Sequence, residues 1–244
     1  TRPSDLEHLL ATHGFGPREK DRAHTLQARL VFAGVTKYNV GSGTWLRPAA
    51  VSRVILVPGQ VESDASIRLG TNRISTNLEL VKAVRAAEPD AFIVYKPHPD
   101  VIAGLRRQGP GEAAIGECCS EVVTTADMHQ LLDQVDEVHT MTSLAGFEAL
   151  LRGKKVVTYG MPFYAGWGLT EDRDMVASTA QRRGRKLALE ELVCGALILN
   201  PLYADRAGRL LEGPERALEE LDSWRKQGAP RRHPLRPILR LFGT

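Results

Sequence analysis

The sequence predicts an α/β fold with a Rossmann-like parallel sheet flanked by helices. Three observations carry this. Short runs rich in Val and Ile recur between segments of helical periodicity. Chemically unusual residues collect just after those runs, at the edge where an open parallel sheet binds its ligands. With 43% hydrophobic and 25% charged residues, the 244-residue chain resembles an ordinary globular protein large enough for one sizeable core.

The elements follow in order. Residues 1–48 read as lead-in helices, a remnant of or linker to a preceding domain. Leu6, Leu9 and Leu10 suggest a short helix that Gly14-Phe15-Gly16-Pro17 breaks, and a second helix covers Ala23 to Leu30. Lys37 to Gly41 begins a Gly-rich connection. Residues 49–200 read as the sheet domain. Strands are expected at Arg53–Val57, Ala91–Tyr95, Glu121–Val123, Glu137–Thr140 and Lys155–Tyr159. Helices are expected between them at Asn77–Ala87, Val101–Arg107, Met128–Gln134 and Leu144–Leu151. This alternation implies right-handed crossovers and a parallel sheet. Helices at Leu187–Leu199 and Pro214–Lys226 complete the pattern, and residues 201–244 form a helical extension with a basic tail.

Composition removes several function classes. A net charge of +3 gives no general case for nucleic acid. There is no apolar run long enough to span a bilayer, and Thr1 to Asp5 do not resemble a signal peptide. The chain starts without Met, so the start of translation is expected upstream. Three cysteines, two of them adjacent, give neither a disulfide framework nor a zinc spacing, and a reduced cytoplasmic setting is expected. Arg231 to Phe242 alternates basic and apolar residues, as a segment on an anionic membrane surface does and as a solvated basic tail does. No P-loop, GxGxxG or HExxH pattern is present.

The candidate chemistry lies in four rim loops. Lys96-Pro97-His98-Pro99 follows the second strand; its prolines stop the strand and delay a helix. Lys96 and His98 suit an anion such as a nucleotide phosphate, or a solvated turn. Thr142 and Ser143 are placed to cap the helix beginning at Leu144, a position that favours an anion and also serves as a plain cap. Glu148, one turn on, is a candidate for ligand hydroxyls or for support of that helix. After the first strand come Gln60, Glu62 and Asp64. Glu62 and Asp64, two apart on an extended loop, point to opposite sides; one is a candidate nucleophile or base and the other a structural acceptor. Tyr159 and Trp167 bound a loop of Gly, Pro and aromatic residues that suits a wall against a sugar or base, or a plug for the sheet end. His139 is either a core histidine or a ligand contact.

Four segments carry a resemblance: Val57 to Ile67, Tyr95 to Asp100, His139 to Leu150 and Tyr159 to Thr170. Together, and in that order, they are similar to the KpsC-type capsule polysaccharide family of β-Kdo glycosyltransferases. The resemblance covers about residues 36 to 175. It implies a GT-B architecture of two Rossmann-like domains, this chain supplying the C-terminal, donor-binding one. It implies CMP-Kdo as donor, a lipid-linked Kdo acceptor, work within a capsule assembly and export complex, and peripheral contact with the inner membrane. No metal or separate cofactor is implied. By that analogy His98 contacts the CMP phosphate with Ser143 and Thr142 in support. Gln60, Lys96, Glu148, Tyr159 and Trp167 also belong to the donor site. A retaining mechanism through a covalent Kdo intermediate is implied, with Asp64 as nucleophile and Glu62 as second choice. A complete GT-B enzyme needs roughly 300 residues, two domains' worth, so most of the acceptor side is expected to be missing. Two other readings stay open: a donor-binding module that performs no chemistry, and a GT-B enzyme with a different nucleotide sugar.

Overall fold

A computed structural model describes residues 3–37, 43–205, 207–210 and 212–226. The basic tail and most of the Gly-rich connection lie outside the described residues. The chain divides into two units, residues 1–200 and 201–244.

Six strands build the sheet of the first unit: β1 (Val54–Pro58), β2 (Phe92–Lys96), β3 (Glu121–Val122), β4 (Glu137–Thr140), β5 (Lys155–Thr158) and β6 (Glu171–Asp172). All pairings are parallel, in the order β3-β2-β1-β4-β5-β6. This is the strand order of the Rossmann fold, and its direction of winding reverses between β1 and β4. Every residue of β1 is buried, as a central parallel strand covered on both faces requires. Alternate residues feed two cores. Val54, Leu56, Val94, Val138 and Val156 enter one, with Leu131, Phe147, Leu150, Tyr164 and Trp167. Ile55, Val57, Ile93, Tyr95 and Val157 enter the other, with Leu80, Val81, Val84, Met141 and Tyr159.

Helices cover both faces. The lead-in forms α1 (Asp5–Thr12) and α2 (Pro17–Phe32). Gly14 to Pro17 does separate them, but Pro17 opens α2 at its first turn, where a missing N–H costs nothing, and the helix is longer than Ala23–Leu30. Leu10, Phe15 and Ala23 join the same core as β1. Between β1 and β2 lie α3 (Ala65–Gly70) and α4 (Asn77–Ala87), the latter opened by Thr76 and Glu79 in a capping box. The helix expected at Val101–Arg107 is instead a short α5 (Pro99–Ile102), started by Pro99. There follow α6 (Ile115–Cys118), α7 (Met128–Gln134), α8 (Leu144–Leu151), α9 (Ala177–Arg182) and α10 (Leu189–Val193), which passes into a π-helical turn at Cys194–Leu199. In the second unit, α11 (Pro214–Lys226) follows a bridge between Ala204 and Leu210. Among the described residues no helix is long and apolar enough to cross a membrane, and no cluster of His, Cys, Asp and Glu is grouped to hold a metal ion.

Candidate functional site

The loops after β1, β2 and β4 meet at the reversal point and enclose a cavity of about 240 Å³. Register brings them to one level: Pro58 pairs with Lys96, and Thr140 with Thr158. The first two loops nearly touch. Gly59 donates to the Lys96 carbonyl at 2.7 Å, and a Cβ on Gly59 would stand 2.5 Å from the Tyr95 hydroxyl. Only glycine leaves room for that crossing.

Lys96 and His98 line the cavity. The Lys96 ammonium is buried and donates one hydrogen to the Ala126 carbonyl at 2.7 Å, leaving two donors of a charged group. Burial lowers its pKa, and Asp127 opposes the shift. His98 caps α5: Nδ1 accepts from the Asp100 N–H at 3.2 Å, so the proton of the neutral ring sits on Nε2. Burial also lowers the His98 pKa, so this ring is mainly neutral near pH 7.

The opposite wall is the start of α8. Ser143 is its N-cap and accepts from the Ala145 N–H at 3.2 Å; Thr142, Ser143, Leu144 and Ala145 all line the cavity. One turn on, Glu148 is buried and also faces the cavity. Burial raises its pKa, while the Lys37 N–H, donated to Oε1 at 2.7 Å, pulls it back. Thr36 and Lys37 thereby form part of the wall.

The acidic loop residues separate. Asp64 lines the cavity, half-exposed, with its carboxylate 3.4 Å from the Arg106 guanidinium. Glu62 faces the other way and accepts from the Asn77 N–H at the start of α4 at 2.7 Å. Burial raises the Glu62 pKa, with Glu112 and Glu79 adding to it against the Asn77 bond. Gln60 is a brace. Its Oε1 accepts from the Thr140 hydroxyl at 3.1 Å and the Thr142 N–H at 3.0 Å, and its Nε2 donates to Thr142 Oγ1 at 2.9 Å. Asn77 holds its backbone from the far side.

The cavity thus gathers Gln60, Asp64, Lys96, His98, Thr142, Ser143 and Glu148 of the residues singled out in sequence, and Glu62, His139, Tyr159 and Trp167 lie elsewhere. Glu62 caps a helix. Tyr159 packs in the core beside His139, with its hydroxyl 3.5 Å from Nδ1. Trp167 is fully buried, donates to the Phe163 carbonyl at 2.8 Å, and lies 5.8 Å from the Arg183 guanidinium carbon. From the aromatic loop Phe163 and Tyr164 reach the cavity instead. His139 is buried, 3.3 Å from Glu137. Burial pushes the Glu137 carboxyl up, but Arg53, His139 and Lys155 outweigh it and bring it down to about 2. Sequence reasoning did not single out Thr36, Lys37, Ser66 and Met128, which also line the cavity; of these only Ser66 lies in a motif segment.

Residues 12–203 match the family model described as "Capsule polysaccharide biosynthesis protein". The chain is 49% identical over 203 residues to the capsule polysaccharide modification protein LipA of Neisseria meningitidis serogroup A, covering 82% of this chain and 28% of LipA. It is 42% identical over 207 residues to the lipopolysaccharide-processing protein LpsZ of Rhizobium meliloti, covering 83% of this chain and 46% of LpsZ. It therefore spans less than half the length of these relatives. Among solved structures it resembles the β-Kdo 2,7 transferase of Thermosulfurimonas dismutans KpsC, with TM-score 0.76, 42% identity, and coverage of 92% of this chain and 69% of that one. The β-Kdo 2,4 transferase of the same KpsC gives TM-score 0.75 at 32% identity, covering 90% and 68%. The family model covers most of the chain and both Kdo transferases share its fold, so the chain belongs to the KpsC-type capsule polysaccharide biosynthesis family.

Proposed function

We propose that this chain is the donor-binding part of a retaining β-Kdo glycosyltransferase that uses CMP-Kdo and extends a lipid-linked Kdo acceptor during capsule linker synthesis. The observation that carries the reading is the meeting of a buried cation, a neutral imidazole and a helix N-terminus around one cavity at the sheet's reversal point. The likeness to two Kdo transferases supports the choice of sugar. In this reading the CMP phosphate rests against the start of α8, Lys96 and the His98 Nε2–H, whose positive character favours departure of CMP. A carboxylate oxygen of Asp64 forms a bond to the anomeric carbon as the bond to the CMP phosphate oxygen breaks. An acceptor hydroxyl then displaces Asp64, its proton going to a base, and two inversions give net retention. The orientation of Glu62, turned away onto Asn77, favours Asp64 for this role. Peripheral contact with the inner membrane from the cytoplasmic side, and a place in a capsule assembly complex, belong to the same proposal.

Calorimetry with CMP, UMP and a His98→Ala variant tests it. Saturable binding that prefers CMP and falls at least about tenfold in the variant is expected, the scale of a lost charge-assisted hydrogen bond. Equal binding of CMP and UMP would point to another nucleotide sugar, and binding of neither would remove the donor-site reading.

A further inference from the structure

Tyr164 is the most enclosed polar side chain against the cavity. It is fully buried, and its hydroxyl donates to the Ser143 carbonyl in a short hydrogen bond. That carbonyl belongs to the N-cap of α8 and also accepts from the Gly146 N–H at 3.1 Å. Gly146 makes the approach possible, since a Cβ there would lie 2.2 Å from the Tyr164 oxygen. The loop bearing Tyr164 is itself held from below. Arg183, buried, donates from Nη1 to the carbonyls of Pro162 at 2.6 Å and Ala165 at 2.9 Å. Its Nε donates to Glu7 Oε2 at 3.0 Å, while Arg182 donates to Glu7 Oε1 at 2.6 Å. A continuous chain of polar contacts therefore runs from α1, through Arg183 and the aromatic loop, to the first peptide of α8.

We propose that Tyr164 is a positioning residue for the anion-binding end of α8, and that the Glu7–Arg183 pair sets Tyr164 in place. The inference rests on the nucleotide reading given above. The Ser143 carbonyl fixes the plane of the peptide that leads into residues 144 and 145, and both of those residues face the cavity. With the carbonyl held by two donors, the Leu144 N–H of the same peptide is aimed before any ligand arrives, while the Ala145 N–H stays on Ser143 Oγ, so that peptide needs no ordering on binding. A phosphate gains from this alignment, whereas an uncharged nucleoside does not touch it.

Calorimetric titration of the whole chain with CMP and with cytidine separates the two. Wild type is expected to bind CMP more tightly than cytidine. Tyr164→Phe keeps the ring and loses the hydroxyl; it is expected to weaken CMP about fivefold, the scale of one hydrogen bond, and to leave cytidine unchanged. Glu7→Gln, far from the ligand in sequence and isosteric, is expected to weaken CMP in the same direction by a smaller factor, again without effect on cytidine. Equal losses for both ligands, or no loss of CMP binding in Tyr164→Phe, would overturn the proposal while leaving any CMP-over-UMP preference, and the reading built on it, intact. A wild type that binds CMP no better than cytidine would overturn both.

Discussion

At the scale of single residues, Glu62 and Asp64 are separated by a turn, closed by the Asp64 N–H on the Val61 carbonyl, and not by alternation along an extended loop. Asp64 faces the cavity and Arg106; Glu62 faces the start of α4. On the proposed chemistry, mixing the chain with CMP-Kdo and recording the intact mass gives an adduct of one Kdo residue. Asp64→Asn is expected to abolish the adduct and to lower transfer in a complete two-domain enzyme by about 10⁴-fold or more, the scale of losing a nucleophile. Glu62→Gln is expected to keep the adduct; its loss there with retention in Asp64→Asn would exchange the two roles. Lys96 and His98 were legible in sequence because prolines mark where a strand stops and a loop begins. Trp167 was not, because an indole in a Gly-rich rim loop reads alike as ligand wall and as core. Burial and a carbonyl partner decide for the core. Lys37 was illegible for another reason: it acts through its backbone N–H on Glu148, 111 positions away.

At the scale of elements, α4, α7, α8 and α11 lie where the sequence places them, because each runs for about two turns or more, with an apolar face in α4 and a capping Ser143 in α8. The elements α3, α9 and β6 were not legible, since α3 buries only Ile67, α9 only Thr179 and β6 no residue, too few to leave a periodic face. In α8 the sequence places a glycine in the first turn, where a helix normally prefers alanine by up to about 1 kcal/mol. Here the substitution works the other way. Gly146→Ala would place a methyl group against the buried Tyr164 oxygen. Overpacking of about 1–3 kcal/mol outweighs the gain in helix propensity. A lowered denaturation midpoint at unchanged slope is expected; a raised midpoint would mean that Tyr164 moves aside freely.

At the scale of the whole molecule, the order of β-strands and the reversal between β1 and β4 put every cavity-lining residue between positions 36 and 164. All of them belong to the unit of residues 1–200. A chain ending at Asn200 is therefore expected to keep a folded far-UV spectrum less the helical signal of α11, a cooperative melt, and CMP affinity within about twofold, since no lining backbone is removed. A larger loss of affinity would assign residues 201–244 a part in the site. The parallel α/β class was readable from alternation alone, whereas the strand order rests on pairings that no local pattern encodes.

The amide of Gln60 also gives the cavity floor a direction. Ser143 N–H points to Thr140 Oγ1, Thr140 O–H points to Gln60 Oε1, and Gln60 Nε2–H points to Thr142 Oγ1. The amide accepts through its oxygen and donates through its nitrogen, so the order of the contacts cannot be reversed at Gln60. At their end Thr142 Oγ1 accepts from the amide, and Thr142 lines the cavity. A ligand therefore meets a wall whose loops after β1 and β4 are tied through one amide, and the Thr142 N–H on Oε1 keeps that amide from flipping.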